Sequence, residues 1–235
     1  MAIANIGETV DLSTSLMQGA VDDTNESPWM TMPEFQYFVA RLFVGILRLH
    51  TQRHRLGWHV TGELNVTGPK PEGGTLTLGP DAFVVEADER MRDSWDVVRE
   101  GKAPGLVLEI VTKDSVYRDT VQKPEYYQGM GVDEYAIFWP NRKDGGPKLF
   151  GYRRDSDGVW GEWAVDRDGV LRSEVLGGLG LKTGDHPWLR VVDERGDLLP
   201  SPEEEAERAE REAARAAALE AEFTRLRARL EGSPE

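Results

Sequence analysis

The chain has 235 residues, 39% of them hydrophobic and seven of them tryptophan, enough for one sizeable core plus an appendage. It has no cysteine, which excludes disulfides and thiolate metal sites and suits a reducing cytoplasm, the location we expect. The net charge of −14 divides unevenly: residues 200–235 hold ten acids and six arginines (−4), and the remainder 32 acids and 22 bases (−10), a balance that disfavours non-specific grip on nucleic acid unless a basic rim or bound metal reverses it locally.

Residues 1–27 are polar and acidic, and a flexible N-terminal segment is expected there. No lysine or arginine precedes Arg41, and no run approaches the ~18 apolar residues of a membrane span, so neither a secretory leader nor a membrane segment is expected. From Pro33 to about His50 the residues Phe35, Phe38, Val39, Leu42, Ile46 and Leu49 recur at helical spacing, predicting an amphipathic helix laid on a sheet. Residues 56–66 read as extended, with Trp58, Val60, Leu64 and Val66 on one face and Glu63 on the other. A turn over 69–74 is followed by Leu76 and Leu78, which lead into an apolar strand over 79–85. A charged connector over 87–104, with a short helix around 92–99, precedes a second strand over 105–111. That strand is the most apolar in the chain and is expected at the centre of the sheet.

A helix capped by Asp114 or Ser115 is expected to run to Gln128, stopped by Gly129 and Gly131. Residues 134–139 read as a buried strand, and 148–154 with 159–165 as a hairpin about Asp155-Ser156-Asp157-Gly158. A last strand or loop falls at 177–181. The order predicts a mixed α/β layer arrangement over residues 28–199. Residues 200–235 form a separate acidic, arginine-rich helical tail, opened by a capping box of Ser201 and Glu204 with Pro202 at the first helical position. Ala216, Leu219, Phe223, Leu226 and Leu230 step by threes and fours, as in a coiled-coil seam for a homodimer or partner protein through residues 201–230. The alternative is a solvated single helix carried by alanine propensity.

The chemistry concentrates in the two apolar strands. Asp81 opens the first and Glu109 lies inside the second. A buried, unpaired carboxylate costs several kcal/mol or takes up a proton, so two on adjacent strands suggest a shared hard cation, Mg²⁺ or Mn²⁺. The backbone carbonyl of Ile110 is a candidate third ligand. Lys123, at a polar helix start, is the candidate cation for the attacking water or the scissile phosphate. Glu63 and Gln122 are accessory candidates, each with an ordinary reading as a surface residue. Taken singly, Asp81 also reads as a turn residue after proline, and Lys123 as a solvated helix residue. His50 and His54, four apart, are expected on the surface or at a helix end. His59 and His186 are expected to be structural, and Tyr126, Tyr127, Tyr135 and Trp139 to fill the core. No glycine-rich phosphate loop, Ser-His-Asp order or zinc motif is present.

The segments Gly79-Pro80-Asp81-Ala82-Phe83-Val84-Val85 and Pro104-Gly105-Leu106-Val107-Leu108-Glu109-Ile110-Val111-Thr112 resemble the PD-(D/E)XK restriction-endonuclease-like superfamily, and within it the Uma-type endonuclease family. The resemblance continues through Asp114-Ser115, Arg118-Asp119, Lys123, Tyr126-Tyr127 and Gly131-Val132-Asp133-Glu134-Tyr135, and covers roughly residues 30–230. Position 111, where the superfamily carries its lysine, is Val111; Lys123 matches the family's lysine on the following helix. The resemblance implies a restriction-endonuclease-like mixed sheet flanked by helices and a Mg²⁺-dependent endonuclease cutting DNA. Asp81 and Glu109 would then be metal ligands, and Lys123 catalytic. The alternative is a catalytically inactive scaffold of the same fold that binds a partner through its C-terminal helix.

Overall fold

The computed structural model describes residues 32–140, 146–184 and 188–231. The segment 1–27, His186 and the side chain of Leu230 lie outside the described residues. The chain divides into two compact units between Leu199 and Pro200.

The first unit begins with α1 (Met32–His54), which presents Phe35, Val39, Phe43, Ile46 and Leu47 to the core. Phe38, expected on that face, is 41% exposed, because the buried stripe runs through Phe43 and Leu47 instead. After α1 come β1 (Trp58–Gly62), β2 (Val66–Pro69), β3 (Thr75–Leu78), β4 (Ala82–Glu86) and β5 (Trp95–Asp96). A single turn, α2 (Val97–Glu100), is capped by the Asp96 carboxylate and leads to β6 (Leu106–Ile110). Next are a π-turn (Arg118–Gln122) and α3 (Lys123–Met130), which ends at Gly131 with φ 93°, a left-handed cap that suits glycine. Then follow β7 (Glu134–Trp139), β8 (Lys148–Arg154), β9 (Trp160–Ala164), β10 (Val170–Arg172), β11 (Gly180–Thr183) and β12 (Leu189–Val192).

Six strands form one mixed sheet in the order β1-β4-β6-β7-β8-β9, with β6 and β7 parallel and the other neighbours antiparallel. The parallel pair needs a crossover, and the π-turn with α3 supplies it. Leu106, Leu108 and Ile110 pack toward α1, whereas Val107 and Val111 pack with Tyr127, Tyr135, Ile137 and Trp139 on the opposite face. Both faces of β6 and β7 are covered, which is why these strands are continuous apolar runs. This is the mixed α/β, helix-flanked sheet expected.

Two local expectations fail. The run 56–66 is not one strand: it breaks after Gly62, where Glu63 takes φ 59°, and β2 joins a separate three-stranded sheet, β3-β2-β5. The last strand or loop expected at 177–181 is part of a third sheet, β10-β11-β12, with its own buried residues Val170, Leu171, Leu181, Leu189 and Val191.

The second unit is α4 (Pro202–Glu231). Its capping box is reciprocal: the Glu204 N–H donates to Ser201 Oγ at 3.1 Å, and the Ser201 N–H to Glu204 Oε2 at 2.8 Å. Leu219, Phe223 and Leu226 of the seam are more than half exposed.

Candidate active site

The β4–β6 ladder ends at the pair Ala82 and Leu108, so Asp81 stands one residue beyond the last rung. Its side chain continues the ladder: Oδ2 accepts the Ile110 N–H at 2.6 Å. Oδ1 accepts from Gln36 Nε2 at 2.6 Å, which brings the start of α1 into the site. The neighbouring carboxylate, Glu109, is fully buried on β6. Its Oε2 lies 2.8 Å from Lys123 Nζ, and its Oε1 accepts a long bond, 3.4 Å, from the Tyr127 hydroxyl.

Lys123 is the first residue of α3, and its N–H closes the π-turn onto the Arg118 carbonyl. The turn brings in a third acid. Asp119 Oδ1 is 2.9 Å from Lys123 Nζ, and the backbone carbonyl of Asp119 is held by the Tyr135 hydroxyl at 2.7 Å. Lys123 Nζ also reaches the Gly79 carbonyl at 3.4 Å, two residues before Asp81. A single ammonium therefore serves two buried carboxylates and lies beside the segment that carries a third.

Burial pushes the Asp81 carboxyl up to about 6, against the Ile110 N–H and the Lys123 charge, which lower it. Burial also drives Glu109 well above the ordinary carboxylate range, with Lys123 opposing and Asp81 and Asp119 reinforcing. Burial alone would lower Lys123, but the charges of Glu109 and Asp119 outweigh it and hold the amine above its usual value. The lysine keeps its proton, and the shortage of positive charge falls on Glu109 and Asp81.

Of the candidates drawn from sequence, Asp81, Glu109 and Lys123 meet at this end of the sheet. Lys123 is buried rather than solvated. Ile110 offers its N–H to Asp81. Glu63 is exposed past the end of β1 and lines a neighbouring cleft, and Gln122 is exposed at the end of the π-turn. His50 and His54 stack on each other, ring centres 4.3 Å apart, with Trp58 beside His50. His59 packs on Trp95 and Phe83. Tyr127, Tyr135 and Trp139 are buried, and Tyr126 is half-buried. Sequence reasoning missed Asp119 and Gln36. The spacing of Asp119 to Lys123, four residues, was a signal for the first; nothing local pointed to the second, 45 residues from Asp81.

Among the described residues no three His, Cys, Asp or Glu are grouped so as to hold one metal ion. Mg²⁺, however, is commonly held through one or two carboxylates and keeps its waters. The donor set here is all oxygen, and Glu109 Oε2 and Asp119 Oδ1 are buried acceptors with no well-formed hydrogen bond, meeting cations only. The residues fit a hard divalent ion.

The mixed α/β sheet thus gathers Glu109, Asp119 and Lys123 at one end, beside Asp81. Residues 27–184 match the model of the Uma2 family, described as "Putative restriction endonuclease", and the chain belongs to that family. Among solved structures, a "putative nuclease belonging to DUF820" from Anabaena variabilis is similar to it, with 13% identity, 54% of this chain and 71% of that chain covered, and a TM-score of 0.36. No curated protein matches the chain.

Proposed function

We propose that this protein is a divalent-metal-dependent endonuclease that hydrolyses phosphodiester bonds in DNA. The observation that carries the reading is the pair of buried acids, Glu109 and Asp119, closed around one buried lysine beside Asp81. Apolar strands tolerate such a cluster only at a cost, and strongly perturbed groups gather where chemistry is done. Asp81 and Glu109 would hold Mg²⁺ or Mn²⁺. A bound ion of this kind supplies neutralisation of charge on the phosphate and a more acidic water.

In the hydrolysis, a water oxygen attacks phosphorus in line and gives up a proton to solvent, the P–O bond to the leaving sugar oxygen breaks, and that oxygen takes up a proton from solvent. Lys123 does not act as a base, because two carboxylates keep it charged. It orients the water and offsets charge on the phosphoryl oxygens. Asp119 holds the ammonium in place, and Gln36 fixes the rotamer of Asp81.

The test is nicking of supercoiled plasmid with Mg²⁺ or Mn²⁺ and with chelator. Asp81→Ala, Glu109→Ala and Lys123→Ala are each expected to lower the rate by about 100-fold or more while the protein stays folded by circular dichroism. Full activity in any one of them would remove that residue from the mechanism.

Two observations favour a second reading, an inactive scaffold acting through α4. Asp81 already has both oxygens engaged, and Leu219, Phe223 and Leu226 present apolar side chains to solvent. Calorimetry with Mn²⁺ separates the two: a wild type that binds no ion, and no difference on removing Asp81, selects the scaffold. Sedimentation then tests α4 as a homodimer seam, with Phe223→Ser expected to give monomer.

A further inference from the structure

Beside the acid–lysine cluster lies a cleft of about 180 Å³ between α1 and the end of β1, lined by Tyr37, Arg41, Arg48, Gly62 and Glu63 among others. Tyr37, Arg41, Val44 and Arg48 step by four, three and four, so they form one stripe along α1. The two arginines are two turns, roughly 10 Å, apart along the axis.

Both guanidinium groups have donors to spare. Arg41 makes one long bond, Nη1 to the Tyr37 hydroxyl at 3.4 Å, and Arg48 uses Nε on the Val60 carbonyl at 2.8 Å. A guanidinium carries five N–H donors. Among the described residues neither arginine has an ion pair, although the body carries a charge of −10 and Glu63 lines the same cleft.

The cleft is joined to the catalytic cluster at two points. Gln36, which donates to Asp81 Oδ1, immediately precedes Tyr37. Gly62 pairs with Ala82, the residue after Asp81, and a Cβ on Gly62 would sit 3.0 Å from the Asp81 carbonyl oxygen. A bulkier residue there would press on Asp81, so the cleft floor and the Asp81 segment share one wall.

We propose that Arg41 and Arg48 dock the phosphodiester backbone of a nucleic acid strand next to the scissile phosphate. The proposal rests on the nuclease reading of the Asp81 cluster and extends it to substrate binding. Arginine forks match phosphate oxygens two at a time. A body of net charge −10 gives little non-specific grip, so two unpaired arginines in one cleft favour one place of entry. Tyr37, 44% exposed and one turn beyond Arg41, offers a ring to a sugar or base on that side of the arginines.

The experiment is fluorescence anisotropy of end-labelled single- and double-stranded oligonucleotides against the full chain, metal-free, across a series of KCl concentrations. Arg41→Ala/Arg48→Ala is expected to weaken binding about 10-fold or more at low salt. It should also reduce the slope of log K against log salt by about 1 to 2, the loss of one or two phosphate contacts. Arg41→Lys/Arg48→Lys, which keeps the charge, is expected to retain the slope. Circular dichroism and thermal melting of each variant confirm that both arginines are dispensable for folding. Unchanged affinity and slope in the double alanine variant would overturn the proposal, as would a wild type that binds no oligonucleotide. Arginine-dependent binding of inorganic phosphate by calorimetry, without a salt-dependent oligonucleotide complex, would also overturn it and mark a small-anion site. Because this assay needs no cleavage, binding without nicking defeats the nuclease reading alone, and nicking with arginine-independent binding defeats this proposal alone.

Discussion

Glu109 and Glu134 are both buried carboxylates on neighbouring strands of one sheet, three residues apart in register, yet they are satisfied in opposite ways. Glu134 pairs across from Leu106 at the start of β7 and Glu109 across from Ile137 near the end of β6. Glu134 has three donors: the Ser173 hydroxyl, the Glu174 N–H at 2.7 Å and Arg153 Nε at 3.0 Å, although Arg153 also pairs with the exposed Glu174 carboxylate at 2.9 Å. Arg153 in turn lies over the Trp163 ring, 4.6 Å from its centre. Glu109 has one strong partner, Lys123, and shares it with Asp119. A carboxylate with its own donors is a fastener between β7, β8 and the 173–178 turn. A carboxylate that competes for a shared cation is left short of positive charge.

The largest effect is expected from breaking the fastener. Glu134→Ala leaves the Ser173 and Glu174 donors without their acceptor and Arg153 with only the exposed Glu174 carboxylate as its counter-charge, and should lower stability by about 3–5 kcal/mol in urea unfolding. Nicking per folded molecule should be unchanged. Lys123→Met comes next: it strands Glu109 and Asp119, so a loss of about 2–4 kcal/mol at pH 8 is expected, together with loss of nicking. That penalty should shrink toward pH 5, where Glu109 can take up a proton. Equal penalties at both pH values would show that the lysine's charge is not what the acids require.

A smaller effect of opposite sign is expected at Asp81 in metal-free buffer. Its folded-state value of about 6 exceeds the ordinary 3.8, so its proton favours folding fully below about pH 3.8, and that contribution is lost as the pH rises through about 6. Asp81→Asn should therefore stabilise the metal-free protein by about 1–2 kcal/mol at pH 7.5, with the gain vanishing near pH 4. Melting temperatures across that range decide it. The smallest change is expected for Asp119→Asn: about 10-fold slower nicking with stability within ~1 kcal/mol, since Lys123 retains Glu109.

Much of this arrangement is legible in the chain because burial leaves a plain mark. Strands β6 and β7 are covered on both faces, so an acid inside Leu106-Val107-Leu108-Glu109-Ile110 stands out against its surroundings. The β8–β9 turn is equally plain, since Asp155 Oδ1 accepts from the Asp157 and Val159 N–H groups, a bond pattern its sequence advertises. Asp119 was hidden because Arg118-Asp119 looks like two exposed helix residues, and the π-turn that aims the aspartate inward has no signature of its own. Gln36 was hidden because its role depends on α1 crossing the mouth of the sheet. Strands β10 to β12 are three or four residues each, too short for alternation to be read. The break at Gly62-Glu63 was invisible because extended residues flank it on both sides.

The π-turn makes the distance between β6 and α3 a matter of whole residues rather than of degree. Removing one residue from 118–122 would let the segment relax into ordinary α-helix and swing Lys123 by roughly 100° about the axis. Lys123 would then leave Glu109 and Asp119. Shortening by a single residue should therefore yield a protein that melts as a cooperative unit but has lost its chemistry. One deletion would thus separate the scaffold from the cluster it carries.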